Sequence, residues 1–235
     1  MKTFFKVVLF VFVAAFYSCG KDEVSSASSA SSSITSAGVI SGTISNYGTT
    51  KVDSIHFNGS NAIVSTGGKF SSTIAIPKSA DLHIFPVLPG VKISDVNALV
   101  SELEIVCYHN SQDGKLYKTN MTENMTPFDG AALSVFVYCD RDVVITGSFS
   151  GDAAEIVQAV RLSGMVTLDL KLKKGWNEMV GTIEKVSLTT GDVTMKVSNT
   201  IPSDLKWVAV GRDAAGTDAA GTASKVKAFK SLLKK

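Results

Sequence analysis

Asp140-Arg141-Asp142 sets two carboxylates at i and i+2, which an extended chain points to the same side. Such a pair suits a hard cation such as Ca²⁺, or the hydroxyls of a sugar. With Asp152 these are also the residues a loop-based hydrolase would use, since glycoside cleavage needs two carboxyl groups flanking one bond. A solvated turn with a local ion pair to Arg141 accounts for the same triplet. The histidines His56, His83 and His109 are scattered and lack metal-ligand spacing. Asn110-Ser-Gln-Asp113-Gly114 has the start of a calcium loop but no glutamate at its twelfth position, and a hairpin turn explains it better. The chain has no Gly-x-Ser-x-Gly elbow, no His-Glu-x-x-His, no phosphate-cradling Gly-x-x-x-x-Gly-Lys and no Cys-x-x-Cys. The expectation is a protein without catalytic residues, metal or cofactor.

Aromatic residues offer a second kind of chemistry, because sugars stack on exposed rings. The candidates are Tyr47, Tyr108, Tyr117, Tyr138, Trp176 and Trp207. Alternation puts Tyr108 opposite the side that holds Cys107, and Phe136 with Tyr138 opposite the side that holds Cys139. If those strands are neighbours, Tyr108, Phe136 and Tyr138 form one aromatic face. It is either a binding platform or the seam to a second sheet, and the apolar character of both faces favours the seam. Asp140, Asp142, Tyr108 and Tyr138 are therefore the candidate ligand-binding residues. Cys107 and Cys139, at inward positions, are expected either to form an inter-strand disulfide or to stay as free buried thiols. A bridge closing a loop of roughly 30 residues would contribute on the order of 3 kcal/mol.

The elements that must position these residues are strands. Ile40, Gly42 and Ile44 alternate with Ser41, Thr43 and Ser45; Phe70, Ile74 and Ile76 share a face. Val166, Leu168, Leu170 and Leu172 alternate with Thr167, Asp169 and Lys171, and Val193, Met195 and Val197 repeat the pattern. Half-buried antiparallel strands have this period of two. Turn chemistry separates the runs at Asn58-Gly59, Gly67-Gly68, Asp113-Gly114, Asp129-Gly130, Lys174-Gly175 and Gly191-Asp192. The fold class is all-β, an antiparallel β-sandwich of immunoglobulin-like or transthyretin-like type, built as one sandwich or as two subdomains over 37–140 and 141–211. Residues 94–106 have some helical spacing, but strand is favoured over Leu103–His109; residues 151–162 fit either. Asp213-Ala-Ala-Gly-Thr217 repeats as Asp218-Ala-Ala-Gly-Thr222, a linker. Val226, Phe229 and Leu233 then give the end of the 212–235 region a short basic amphipathic helix.

The N-terminus carries the clearest signal. Lys2 and Lys6 precede an apolar run from Val7 to Ala15, and Tyr17-Ser18 precede Cys19. That run is shorter than the about 20 apolar residues a membrane span needs, and it reads as a secretory signal over 1–18. With Ser18 in the small position, it resembles a bacterial lipobox, which implies cleavage before Cys19 and diacylation of its thiol; Phe16 and Tyr17 are bulkier than that pattern. Gly20 after the cysteine resembles the signal for release from the inner membrane, and Lys21-Asp22-Glu23 resembles the export tag of surface lipoproteins in Bacteroidetes. Residues 19–36 continue as a Ser/Ala-rich tether with no apolar face. Leu172-Lys-Lys-Gly175-Trp176-Asn177, followed by Leu205-Lys206-Trp207, is similar to a stretch in small β-sandwich lipoproteins of Gram-negative bacteria, a likeness that implies no activity. Asp53-Ser54-Ile55 resembles a Bacteroidetes O-glycosylation acceptor.

Removal of 1–18 takes Lys2 and Lys6 from the 23 basic residues and nothing from the 21 acidic ones, which leaves the remainder neutral. Nothing in that balance asks for a nucleic-acid partner. The sequence is therefore expected to be an outer-membrane or surface lipoprotein of the cell envelope, held to the membrane by its N-terminal lipid. It is expected to act by binding or display toward a glycan or a surface protein. An adhesion or assembly component and a loop-carboxylate hydrolase are the alternatives.

Overall fold

The computed structural model describes residues 34–35, 37–123, 128–152, 163–187 and 192–211. The signal segment, Cys19, most of the tether, residues 153–162 and the 212–235 linker and helix lie outside those residues. The described chain is all-β: fifteen strands and one four-residue helix. The strands are β1 (Val39–Thr43), β2 (Ser54–Phe57), β3 (Ser60–Ile63), β4 (Lys69–Thr73), β5 (His83–Ile84), β6 (Val91–Ile93), β7 (Leu99–Glu102) and β8 (Ile105–His109). They continue as β9 (Gln112–Thr119), β10 (Ala132–Cys139), β11 (Val143–Asp152), β12 (Ser163–Leu172), β13 (Gly175–Ser187), β14 (Asp192–Ser198) and β15 (Lys206–Gly211), with helix α1 (Tyr47–Thr50) after β1.

Thirteen strands form one sheet, whose main path runs β3-β2-β8-β9-β10-β13-β14-β12-β11-β6. β15 adds to β9, β7 adds to β10 beside β9, and β5 hangs on β7. β1 and β4 make a separate two-stranded sheet. The strands before and after residue 140 share the large sheet, with β10 paired to β13 along its whole length. Pairing is antiparallel except for β12 with β14, where β14 enters between β12 and β13. The stretch 94–106 holds no helix: β7 and the start of β8 take up six of its residues, and the rest is turn and connection.

Every residue of β10 is buried, so the sheet has a core on each side. One is aliphatic: Leu133, Val135, Val137 and Cys139 of β10 pack with Leu168, Leu170 and Leu172 of β12 and with Val143 and Ile145 of β11. The other is aromatic: Phe136 and Tyr138 of β10 meet Trp176, Trp207 and Phe70, and β1 and β4 cover them with Ile40, Ile44 and Ile74. Trp207 stacks on Phe136 at 5.6 Å and meets Phe70 edge-on at 5.2 Å, while Tyr138 meets Trp176 edge-on at 5.7 Å. Edge and offset contacts of this kind satisfy the ring quadrupoles. Gly42 is required here, since a Cβ would lie 2.2 Å from the Trp207 indole. The seam expected behind Phe136 and Tyr138 is thus present, but Ile76 is 71% exposed because the chain leaves β4 at Thr73.

Register decides between the two alternatives for the thiols and corrects two expectations. Cys107 and Cys139 are free, not bridged. They belong to opposite cores, Cys107 to the aromatic one and Cys139 to the aliphatic one. β9 lies between their strands and pairs Thr119 with Leu133 but Gly114 with Cys107. Odd-numbered residues of β10 thereby share a face with odd residues of β9, and odd residues of β8 with even ones. The same step removes Tyr108 from the side of Phe136 and Tyr138. The second correction is at Asp113-Gly114, which lies inside β9. The hairpin turns at Asn110 and Ser111, both at positive φ (48° and 65°), a two-residue loop of the type whose twist matches paired strands.

Candidate functional site

Asp140 and Asp142 follow β10 directly, and both are engaged in hydrogen bonds and ion pairs, Asp142 with a side chain that is 60% exposed. Asp140 Oδ1 accepts from the backbone N–H of Leu99 (2.8 Å) and from Arg141 Nε (3.0 Å), and Oδ2 accepts from Arg141 Nη2 (2.8 Å). Arg141 Nη1 donates across to Asp95 (3.2 Å). Asp142 takes Lys173 Nζ (2.8 Å) and the backbone N–H of Lys174 (2.9 Å). The Arg141 guanidinium holds the Asp140 carboxyl below the usual carboxylate range, and the Lys173 ammonium does the same for Asp142. The pair fastens three turns together: Asp140 and Asp95 tie the β6–β7 connection to the end of β10, and Asp142 ties the β12–β13 turn. Among the described residues no group of three or more His, Cys, Asp or Glu side chains is arranged to hold a metal ion. The Asp152 side chain lies outside the described residues.

Tyr138 is a core residue, 8% exposed. Tyr108 is half-buried on the other side of the sheet, where its ring lies 4.5 Å from that of the exposed His56. The registers of β3, β2, β8 and β9 place Ile63 opposite Ser54, Ser54 opposite Tyr108 and Tyr108 opposite Asp113, with Asn61 opposite His56 and Val106 opposite Lys115. These residues share one outer face, on the side of the aliphatic core but beyond it. Tyr117 of the same face still packs on that core. The face offers a tilted aromatic pair, an apolar side chain that is 86% exposed at Ile63, and amide, hydroxyl and carboxylate groups around them. It is open, not a pocket.

A constellation not foreseen from the sequence gathers on the reverse side. A shallow cavity of about 310 Å³, measured with the solvent at its mouth, is lined by Thr50, Val52, Cys107, His109, Gly114 and Gly211, among others. His109 Nδ1 lies 3.3 Å from Asp53 Oδ2, and the Asn110 amide lies 2.9 Å from Nε2. Cys, His and Asp are the types of a thiol nucleophile with its base and orienting acid. Their environment opposes that use. Burial pushes the Cys107 thiol up to about 11, so it stays protonated, and Asn110 occupies the ring nitrogen that would take the proton.

The deepest polar cluster is a buried ion pair. Lys118 Nζ lies 2.8 Å from Glu178 Oε1, with side chains 1% and 2% exposed, and Ser134 Oγ donates to the same oxygen (2.6 Å). It sits between the aromatic core and a small cluster of Ala132, Val180 and Leu205. The alternation Leu116, Lys118 on β9 and Trp176, Glu178, Val180 on β13 carries the signal, since each charge takes an inward position. No ligand can reach the pair, which makes it structural.

With this geometry in place, comparison with known proteins adds no relative: no protein-family model, no curated protein and no solved structure matches the chain.

Proposed function

We propose that the protein is a lipid-anchored display module of the cell envelope that binds glycan on the outer face of β3, β2, β8 and β9. The observation that carries this reading is the His56–Tyr108 pair on the outer face of the sheet, His56 exposed and Tyr108 half-buried, with Asn61, Ser54 and Asp113 around it. Aromatic rings pack against the C–H faces of sugars while neighbouring polar groups meet the hydroxyls. An open strip across four strands suits a chain better than a small molecule, which favours a concave site. The carboxylates a hydrolase would need are tied to Arg141 and Lys173, which supports binding over catalysis.

The anchor and the envelope location rest on the Ser18-Cys19-Gly20 signal. From Cys19 to the buried Ile34, fifteen residues allow a reach of at most roughly 50 Å. An immunoglobulin-like or transthyretin-like arrangement is the finer reading of the fold, to be tested on the parallel β12–β14 pair, which neither expectation included.

A Cys19→Ser form screened on a glycan array is expected to bind a limited set of glycans, and Tyr108→Ala to lose that binding while keeping its thermal midpoint. No binding to any glycan removes the reading. For the anchor, Cys19→Ser is expected to abolish metabolic palmitate labelling; continued labelling excludes it.

A further inference from the structure

The aliphatic core is closed unevenly. On most of its circumference the strands from β10 through β13, β14, β12 and β11 to β6 are paired in sequence. The gap between β6 and β10 is filled by the chain from Ile76 to Glu102. In this strap β6 holds to β11 through three residue pairs, β7 holds to β10 through three, and β5 holds only to β7 through two. Phe85, Val91 and Ile93 of the strap pack on the core, while Ile84, Val87 and Val96 face solvent.

Glu102, half-buried, is the last residue of the strap. It stands opposite Val137 and two residues from Val100, which places it on the face of the aliphatic core. Its Oε2 is buried and has no hydrogen-bond partner. The groups around it give its charge no support. Val137 of β10 is apolar. Glu104 is a like charge, and is itself 2.7 Å from Lys115 of β9. His83 of β5, opposite Val100, is held toward its neutral form by burial, and the Tyr117 phenol of β9 is pushed up by burial. Asn58 meets only the backbone carbonyl of Glu102. A carboxylate buried without a cation or a donor is far costlier than the neutral acid.

We propose that β7 and β5 form a release element of the strap, docked while Glu102 is protonated and freed when it ionises. Docking then depends on pH near neutrality, because burial, reinforced by Glu104, pushes the Glu102 carboxyl up from 4.5 to about 7. Release hydrates the carboxylate and bares the edge of β10 at Val137–Cys139. The Arg141 link between Asp95 and Asp140 keeps the strap from leaving altogether.

Hydrogen exchange on the full chain, corrected for the intrinsic effect of pH, tests this directly. Between pH 5 and pH 8 the opening constant for amides at 83–84 and 99–102 is expected to rise by roughly 70-fold and then level off. Amides of β10 paired to β13 keep their protection. Glu102→Gln, neutral at every pH and nearly the same shape, is expected to abolish the rise. A flat profile in the wild type, an equal rise in Glu102→Gln, or a rise of the same size across β10 and β13 each overturns the proposal.

Discussion

The two cores share β10 yet are closed by different means. The aromatic core is sealed by large rings and by β1 and β4, with Gly42 letting Trp207 lie directly on the backbone. The aliphatic core is filled by smaller side chains and sealed in part by a strap with few paired residues. Each side also holds a glutamate with one buried, unpartnered oxygen, Glu178 being fully buried and Glu102 half-buried. Glu178 on the aromatic side has Lys118 and Ser134, whereas Glu102 on the aliphatic side has no cation. One sheet thus carries a permanent wall on one face and, if the strap releases as proposed, a conditional one on the other. The difference lies in whether a buried charge is neutralised in place.

The largest effect is expected from breaking the permanent side. Lys118→Met leaves the Glu178 carboxylate buried without its cation, and removing one partner of such a pair costs about 3–5 kcal/mol. The double variant Lys118→Met/Glu178→Leu is expected to recover most of that loss in urea unfolding, because matched apolar replacements remove the orphaned charge as well.

Glu102→Gln should act in the opposite direction. A carboxyl whose folded value is raised contributes its stability below the unfolded value, near 4.5, and loses it as pH rises through about 7. The wild type is therefore expected to be about 3 kcal/mol less stable at pH 8 than at pH 4 on account of this group. Glu102→Gln should remove that slope, gaining stability at pH 8 and little at pH 4. Unfolding curves at the two pH values decide it.

Asn46 provides a smaller contrast at the rim of the aromatic core. Its amide donates to the Ala209 carbonyl (2.8 Å) and its Oδ1 accepts from the Ala209 N–H (3.0 Å), so one side chain takes the place of a strand along β15. Asn46→Ala should cost about 1–2 kcal/mol in thermal or urea unfolding. An unchanged midpoint would mean that water serves that edge equally well.

How much of this was legible follows from the kind of information each feature needs. Period-two runs such as Leu168–Leu170–Leu172 announce strands because alternation is local. The pairing of Cys107 with Cys139 was not decidable, because it depends on two registers across β9 that no local pattern encodes. Asp113-Gly114 reads as a turn by composition, yet Gly114 is needed in the strand itself, where a Cβ would meet the Val210 carbonyl at 3.0 Å and Cys107 Sγ at 3.2 Å. The real turn uses Asn110 and Ser111. The ion pair of Asp140 with Arg141 is legible because the two are adjacent in the chain; the Lys173 partner of Asp142 is not, because it comes from a distant turn. Nothing local marks Glu102: its neighbour Glu104 is exposed, and only register shows which of the two faces a core.

The smallest effect concerns the thiols, and it is an expected absence of change. Because Cys107 and Cys139 face opposite sides of the sheet, no rotation of either side chain can join them, and with β9 between their strands even a one-residue slip would leave them two strand spacings, about 10 Å, apart. A slip of β10 would besides turn Phe136 and Tyr138 into the aliphatic core. In a Cys19→Ser form, reductant should therefore leave the thermal midpoint where it is, and two thiols should titrate once the protein is unfolded. In the folded state Cys107, 4% exposed at the floor of a solvent-open cavity, should react before Cys139, which is fully buried. Their order of reaction reports on the two walls: raising the pH should speed Cys139 beyond the ordinary effect on a thiol, since β7 pairs with β10 at that residue. Cys107, behind the permanent wall, should show only the ordinary effect. If both thiols accelerate equally, the two faces of the sheet open together and the contrast between them fails.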